Sequence, residues 1–158
     1  MAPFTPQELI ARREEHCFAV TAEKKYFHVG NIFIKRSLRP SEWVKFQGYM
    51  HVPLFCPERV LNEGACIQYL AEKTKVPLPK VHACFEDDGA AYLILDYVEG
   101  VGMDTLSDAD KDVVTTELEG YIQTFQSLKS DTWGGPKGAV RIRHIICLWL
   151  LKPAIETG

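Results

Sequence analysis

A helix that two prolines must end, followed at once by a hairpin with an acidic-glycine turn, constrains this chain more than any other feature. Residues 58–74 place Val60, Leu61, Gly64, Ile67, Leu70 and Ala71 on one helical face and leave Glu63, Gln68 and Glu72 elsewhere. Val76-Pro77-Leu78-Pro79 then stops the helix, because proline lacks an N–H and pushes its predecessor into extended backbone. Lys80 to Glu86 and Ala91 to Val98 follow as two strands joined through Asp87-Asp88-Gly89, residues that accept the backbone of a tight turn. The second strand, AYLILDYV, is apolar almost throughout and belongs in the middle of a sheet, with Asp96 the exception.

The flanking segments have their own signals. Thr5-Pro6-Gln7-Glu8 is a capping box with proline at the first helical position, which predicts a helix to about His16. Lys25 to Val29 and Ile32 to Lys35 are aromatic and β-branched, and Gly30-Asn31 between them predicts a tight hairpin. Between Arg36 and Pro57, three prolines break any long element, which predicts a loop with one helical turn after Ser41. Trp43, Phe46, Tyr49 and Phe55 in that stretch call for burial. Gly100 and Gly102 mark a flexible joint. Ser107 then caps a long helix with Asp108 and Asp110 in its first turn. Val114, Leu118, Tyr121, Ile122, Phe125 and Leu128 form its stripe, and Trp133-Gly134-Gly135-Pro136 ends it.

Composition narrows the class. A chain of 158 residues that is 46% hydrophobic and 25% charged is neither disordered, collagen-like nor a coiled coil, and its length suits one domain-sized core. A formal net charge of -3 argues against a dedicated nucleic-acid binder. The longest apolar run, Ile145 to Leu151, is shorter than the roughly 20 residues a bilayer span needs. Met1 to Glu15 holds no apolar signal core, so the expected compartment is cytoplasmic, with no membrane span. Cys17, Cys56, Cys66, Cys84 and Cys147 are odd in number and contain no C-x-x-C pair. That argues against a disulfide framework or zinc site and predicts small buried hydrophobes.

The order of elements is hairpin, helix, strand pair, glycine joint, long helix. Lys35 ends a strand and Glu63 lies in the next helix. By spacing alone these two read most simply as solvated surface charges; the other reading is a strand lysine that holds phosphates and a helix carboxylate that positions it.

The longer stretches GNIFIKRS, VLNEGACIQYLAEKTKVPLPKVHACFEDDGAAYLILDYVEGVGM and LKSDTWGGPKG resemble the aminoglycoside phosphotransferase/choline kinase-like family, in a form common in fungal proteomes. The resemblance spans about residues 25 to 138. It implies an α+β fold: a kinase-like N-terminal lobe with an antiparallel sheet and packed helix, plus the first long helix of a C-terminal lobe. It further implies an N-terminal extension over 1–20, a nucleotide-binding lobe over 21–98, a hinge, helix and Trp-Gly-Gly loop over 99–138, and a divergent apolar tail over 139–158. Lys35 is then the phosphate-binding lysine and Glu63 its partner. Asp96, Tyr97 and Val98 form a hinge facing adenine through main-chain groups.

The family's reactive groups are not matched. None of His16, His28, His51, His82 or His144 is followed two residues later by Asp, and no Asp-Phe-Gly occurs, so no residue is assigned a catalytic or metal-binding role. The expected cofactor is ATP at a weak or vestigial site, with Mg²⁺ only as a companion of bound nucleotide. The family pattern is lost after Gly138, which leads to the expectation of a chain truncated before its catalytic loop. Two further readings stand beside this one: a non-catalytic interaction module, and a gene-model fragment. Either a protein partner or self-association is expected through the 107–129 helix and the 140–151 tail, with that tail packed on the helix as a short helix or strand or held by the partner.

Overall fold

Two tight turns organise the sheet. In the computed structural model, which describes residues 6–46, 48–130, 136 and 152–153, Gly30 adopts φ +59° between strands β2 (Lys24–Val29) and β3 (Ile32–Ser37). Positive φ at the first of two loop residues is what a type II′ hairpin turn requires, and it fixes Val29 opposite Ile32 and Tyr26 opposite Lys35. The second turn has Asp88 at φ +49° and Gly89 at φ +68°, the paired left-handed residues of a type I′ turn, between β6 (Val81–Asp87) and β7 (Ala90–Asp96).

The protein is an α+β structure. A five-stranded antiparallel sheet runs β1-β2-β3-β7-β6, with β1 at Cys17–Val20. Helix α2 (Cys56–Lys73) lies between β3 and β6 in sequence and packs on one face of the sheet. Its Val60 joins Ala91, Leu93 and Leu95 in the core, bordered by Phe33, Leu61, Ile67, Val81 and Cys84. As the sequence predicts, β7 is a central strand. Gly64 permits the approach, since a Cβ there would fall 2.5 Å from Cys84 Sγ on β6. Ala71 is exposed whereas Asn62 and Cys66 are buried, so the buried surface of α2 reaches beyond its apolar stripe.

The opposite face carries a buried charge network. Cross-strand neighbours Lys25 and Arg36 are both buried, Arg36 at 2% exposure. Arg36 donates to both Glu42 carboxylate oxygens at 2.9 Å and to Glu14 at 2.7 Å, and Lys25 pairs with the same two carboxylates. The network accounts for a departure from expectation: α1 covers only Pro6–Ile10 and does not reach His16. Residues 11–16 instead fold back onto the sheet, where Glu14 enters the network and Arg12 donates to the Glu42 carbonyl. Thr5 lies outside the described residues, and the capping box with it.

The stretch predicted as a loop contains more structure. A 3₁₀ turn at Pro40–Glu42 answers the expected helical turn, and β4 (Val44–Phe46) pairs with β5 (Tyr49–His51) around Gly48 at φ +84°. The expected burial of the aromatics fails at Tyr49, 81% exposed, and at Phe55, which sits at φ +52° ahead of α2. The Phe46 side chain is outside the described part. Cys17, Cys56 and Cys66 are buried, Cys84 is half-buried, and all four are free thiols; Cys147 lies outside the described residues.

Helix α3 (Asp108–Ser127) starts at Ser107, whose Oγ accepts from the Asp110 N–H at 3.2 Å. It buries none of its residues. Beyond it β8 (Lys129–Ser130) pairs in parallel with β9 (Lys152–Pro153). The Trp133-Gly134-Gly135 loop and the packing expected of 140–151 lie outside the described residues. Among the described residues no helix is long and apolar enough to cross a membrane.

Candidate functional site

Strand alternation decides which side chains share a face. The Tyr26–Lys35 and Lys35–Leu93 register pairs put Lys24, Tyr26 and His28 of β2, Phe33 and Lys35 of β3, and Leu93 and Leu95 of β7 on the face that α2 covers in part. Helix α2 sits over β7, β6 and the adjoining side of β3. The β1–β2 side of that face remains open and is paved with aromatic rings. Phe18 and Phe33 have centroids 6.1 Å apart, Tyr26 and Phe33 6.1 Å, and Phe18 and Tyr26 6.4 Å.

Lys35 and Glu63 meet at the edge of this platform. Lys35 Nζ donates to Glu63 Oε1, with the lysine side chain 18% exposed and the carboxylate 35%. The same ammonium lies 5.9 Å from the Tyr26 ring centroid, within reach of a cation–π contact. Burial pushes the Tyr26 phenol above its ordinary pKa, and the Glu63 carboxylate adds to that. Tyr26 is therefore a neutral hydrogen-bonding group at neutral pH.

The segment after β7 closes the other end of the platform. His28 stacks on Tyr97 at 3.7 Å between centroids. The Tyr97 N–H donates to the Asn31 carbonyl at 2.8 Å, and the Asp96 N–H to the Lys80 carbonyl at 3.0 Å. Two of the N–H groups expected to face a ligand are thus already engaged in the fold. Val98 is 68% exposed, and its main chain makes no hydrogen bond among the described residues. The Asp96 side chain alternates to the face opposite Lys35, where His82 Nε2 lies 2.6 Å from Oδ1 and the Lys80 N–H donates to Oδ2 at 3.3 Å. The His82 hydrogen bond, aided by the Lys80 N–H, holds the Asp96 carboxyl below its usual pKa. Asn31, Pro77 to Pro79 and Asp96 to Val98 line an open groove of about 540 Å³.

Sequence reasoning named Lys35, Glu63, Asp96, Tyr97 and Val98; the structure brings Lys35 to Glu63, turns the Asp96 side chain to the other face, and adds Phe18, Tyr26, His28 and Phe33, which were not named. The signal was available in part. A two-residue turn at Gly30-Asn31 sets Tyr26 opposite Lys35, and counting by two from each collects His28 and Phe33 on the lysine's face, whereas Phe18 lies in β1 at a register shift that this count does not reach.

Among the described residues, no group of three or more His, Cys, Asp or Glu is placed to hold a metal ion. The chain was compared with models of protein families and with curated proteins, and it matches none of them.

Proposed function

We propose that this chain is a nucleotide-binding lobe of the aminoglycoside phosphotransferase/choline kinase-like kind, carrying a weak ATP site and not transferring phosphoryl groups by itself. The observation that carries the reading is the Lys35–Glu63 ion pair, made between a central strand and the helix that follows it. The strand order β1-β2-β3-β7-β6, with α2 inserted after β3, supports it. So does the aromatic platform between that pair and residues 96–98, which offers ring faces to a planar base.

In this reading Lys35 holds phosphate oxygens, and Glu63 aims the ammonium. Phe33 and Tyr26 floor the base, and the open main chain of Val98 offers one edge of hydrogen bonding. Asp96 has a different part, tying β6 to β7 through His82 and Lys80. Mg²⁺ enters only with the nucleotide, as a charge partner of its phosphates. Transfer to an acceptor needs an orienting carboxylate, and no His-x-Asp pair occurs in the sequence to supply one.

Calorimetric titration of the full chain with Mg-ATP tests the site. A Kd near millimolar, about -4 kcal/mol, is expected for a ligand covered from one side, and Lys35→Ala abolishes the heat. No heat from the unsubstituted chain at millimolar nucleotide overturns the proposal.

A second reading, a non-catalytic interaction module, is favoured by the exposed apolar side chains of Val98, Val101, Met103, Val113, Leu118 and Ile122, running from the segment after β7 into α3. Sedimentation of the unsubstituted chain and of Ile122→Glu measures it. Association that the charge abolishes supports this reading, and a monomer at all concentrations removes self-association as its basis.

A further inference from the structure

Beside the Lys35–Glu63 pair, the sheet and α2 make a second ion pair that the nucleotide reading leaves unused. Arg59 and Glu63 are four residues apart on α2, so their side chains leave the same face of the helix. Glu63 meets Lys35. Arg59 Nη2 donates to Glu23 Oε2, 2.5 Å away in the β1–β2 connection. The helix thus presents a cation and an anion to a sheet that presents an anion and a cation. Tyr26 lies between the two pairs: its ring is under Lys35, and its phenol is within electrostatic reach of Glu63, Glu23 and Arg59.

The charges at this corner do not balance. Lys24, on the same face of β2 as Tyr26, brings Nζ to 3.9 Å from Glu23. Among the side chains ion-paired here, Lys24, Lys35 and Arg59 face two carboxylates, Glu23 and Glu63, one positive charge in excess; the Glu58 carboxylate, next to Arg59 on α2, makes no ion pair among the described residues. The three cationic side chains are only 17%, 18% and 25% exposed, so solvent and salt screen them less than surface charges. Arg59 Nε is buried with no acceptor among the described residues, and the neighbouring Cys56 thiol is a poor one. Arg59 and Lys24 both reach the same Glu23 oxygen, Oε2, so a guanidinium with a buried donor left over, beside excess positive charge, is matched by an anion whose oxygens spread more widely than that one.

We propose that Arg59 and Lys24 form a second anion subsite, in which the Glu23 carboxylate occupies the place of a phosphate belonging to a polyphosphate chain anchored at Lys35. The subsite rests on the nucleotide-lobe reading only for which molecule brings the phosphates, since a nucleoside triphosphate and an inorganic polyphosphate share this chemistry. Glu23 can leave without unmaking the turn, because Thr21 Oγ1 accepts from the Lys24 N–H at 2.9 Å and the Glu23 N–H at 3.3 Å and holds the backbone independently of the carboxylate. Binding exchanges a carboxylate on Arg59 for a phosphate on Arg59, which ties occupancy at Lys35 to release of the Glu23 side chain from α2, while Cys56 Sγ still donates to the Glu23 carbonyl at 3.4 Å.

The test titrates the full chain with inorganic tripolyphosphate and, separately, with Mg-ATP, using the unsubstituted protein, Glu23→Gln, Arg59→Ala, Arg59→Lys and Lys35→Ala. Removing the competing charge in Glu23→Gln tightens tripolyphosphate binding about threefold or more, and Arg59→Ala weakens it about tenfold. Arg59→Lys falls between, because an ammonium keeps the charge and loses the fork. Urea midpoints of each variant separate loss of binding from loss of fold. Tripolyphosphate affinity that stays within about twofold in the folded Glu23 and Arg59 variants overturns the subsite. If Mg-ATP binding then still depends on Lys35, the nucleotide reading survives alone. If tripolyphosphate responds as expected while Mg-ATP gives no heat, the subsite stands and the nucleotide reading falls. No binding of either probe to the unsubstituted chain overturns both.

Discussion

Gly64 on α2 lies so close to Cys84 on β6 that a side chain at position 64 would meet the cysteine Sγ at 2.5 Å, its Cβ at 3.0 Å and Leu93 Cδ1 at 3.0 Å. The neighbouring residue, Glu63, bonds Lys35. The depth at which the helix seats on the sheet therefore also sets the ion pair. Gly64→Ala gains up to about 1 kcal/mol of helix propensity and loses about 1–3 kcal/mol to overpacking. The expected net is a loss of on the order of 1 kcal/mol in urea unfolding, with weaker Mg-ATP heat as α2 backs away. Removing the sulfur in Gly64→Ala/Cys84→Ala restores part of both. A single variant more stable than the parent would mean that the interface is slack.

The buried network under the outer face makes a prediction about acid. Burial alone would raise the Glu42 pKa, but hydrogen bonds from Arg36, Lys25 and the Arg39 N–H outweigh it and hold the carboxyl at about 2 against an ordinary 4.5. A group whose folded pKa is depressed stabilises fully above its unfolded pKa. Its contribution is lost as pH falls from about 4.5 through about 2. The loss expected over that window is on the order of 2 kcal/mol, allowing for partial solvent access. Glu42→Gln leaves Lys25 and Arg36 with Glu14 alone and costs roughly 3 kcal/mol at neutral pH, with a flatter profile below pH 4.5. An equally steep profile in the variant would place the acid sensitivity elsewhere.

Much of the fold could be read from residues whose backbone demands are local. Gly30-Asn31 and Asp88-Gly89 specify their turns by φ, the prolines at 77 and 79 follow the end of α2, and Ser107 caps α3 as expected. What stayed hidden depends on distant partners. The extent of α1 is decided by Arg36 and Lys25, which draw Glu14 onto the sheet. The β4–β5 hairpin forms in a stretch whose prolines suggested a loop with one helical turn. The site divides in the same way. Lys35 and Glu63 stand out as residue types in sequence, whereas the role of Asp96 depends on which face of β7 it takes. One step of alternation past Leu95 carries it away from Lys35.

That alternation predicts a separation of effects at residues 96 and 82. Asp96→Asn weakens the tie to His82 and Lys80 while leaving the Lys35 face untouched, so Mg-ATP and tripolyphosphate affinities stay within about twofold of the parent. In His82→Ala the Asp96 carboxyl loses the bond that lowers its pKa most, and it titrates at higher pH in a carbon-detected NMR titration. A large loss of nucleotide binding in Asp96→Asn would put the carboxylate in the ligand's path and refute the face assignment.

Helix α3 has no fully buried residue and covers Val114, Tyr121 and Phe125 only in part, so local terms carry much of its stability. At its start, Ser107 Oγ accepts from the Asp110 N–H, and Asp108 and Asp110 complement the positive end of the helix dipole. One further turn in, Lys111 Nζ reaches Asp108 Oδ1 at 3.4 Å. Tyr121 donates to Glu117 at 2.6 Å across one turn, which raises the phenol's pKa. Ser107→Ala removes the cap and costs about 1 kcal/mol of helix stability. With little tertiary burial to absorb the loss, amide exchange accelerates through residues 108–114 while the amides of β3 and β7 keep their protection. Exchange that slows or stays unchanged along α3 would show that packing, not capping, holds the helix.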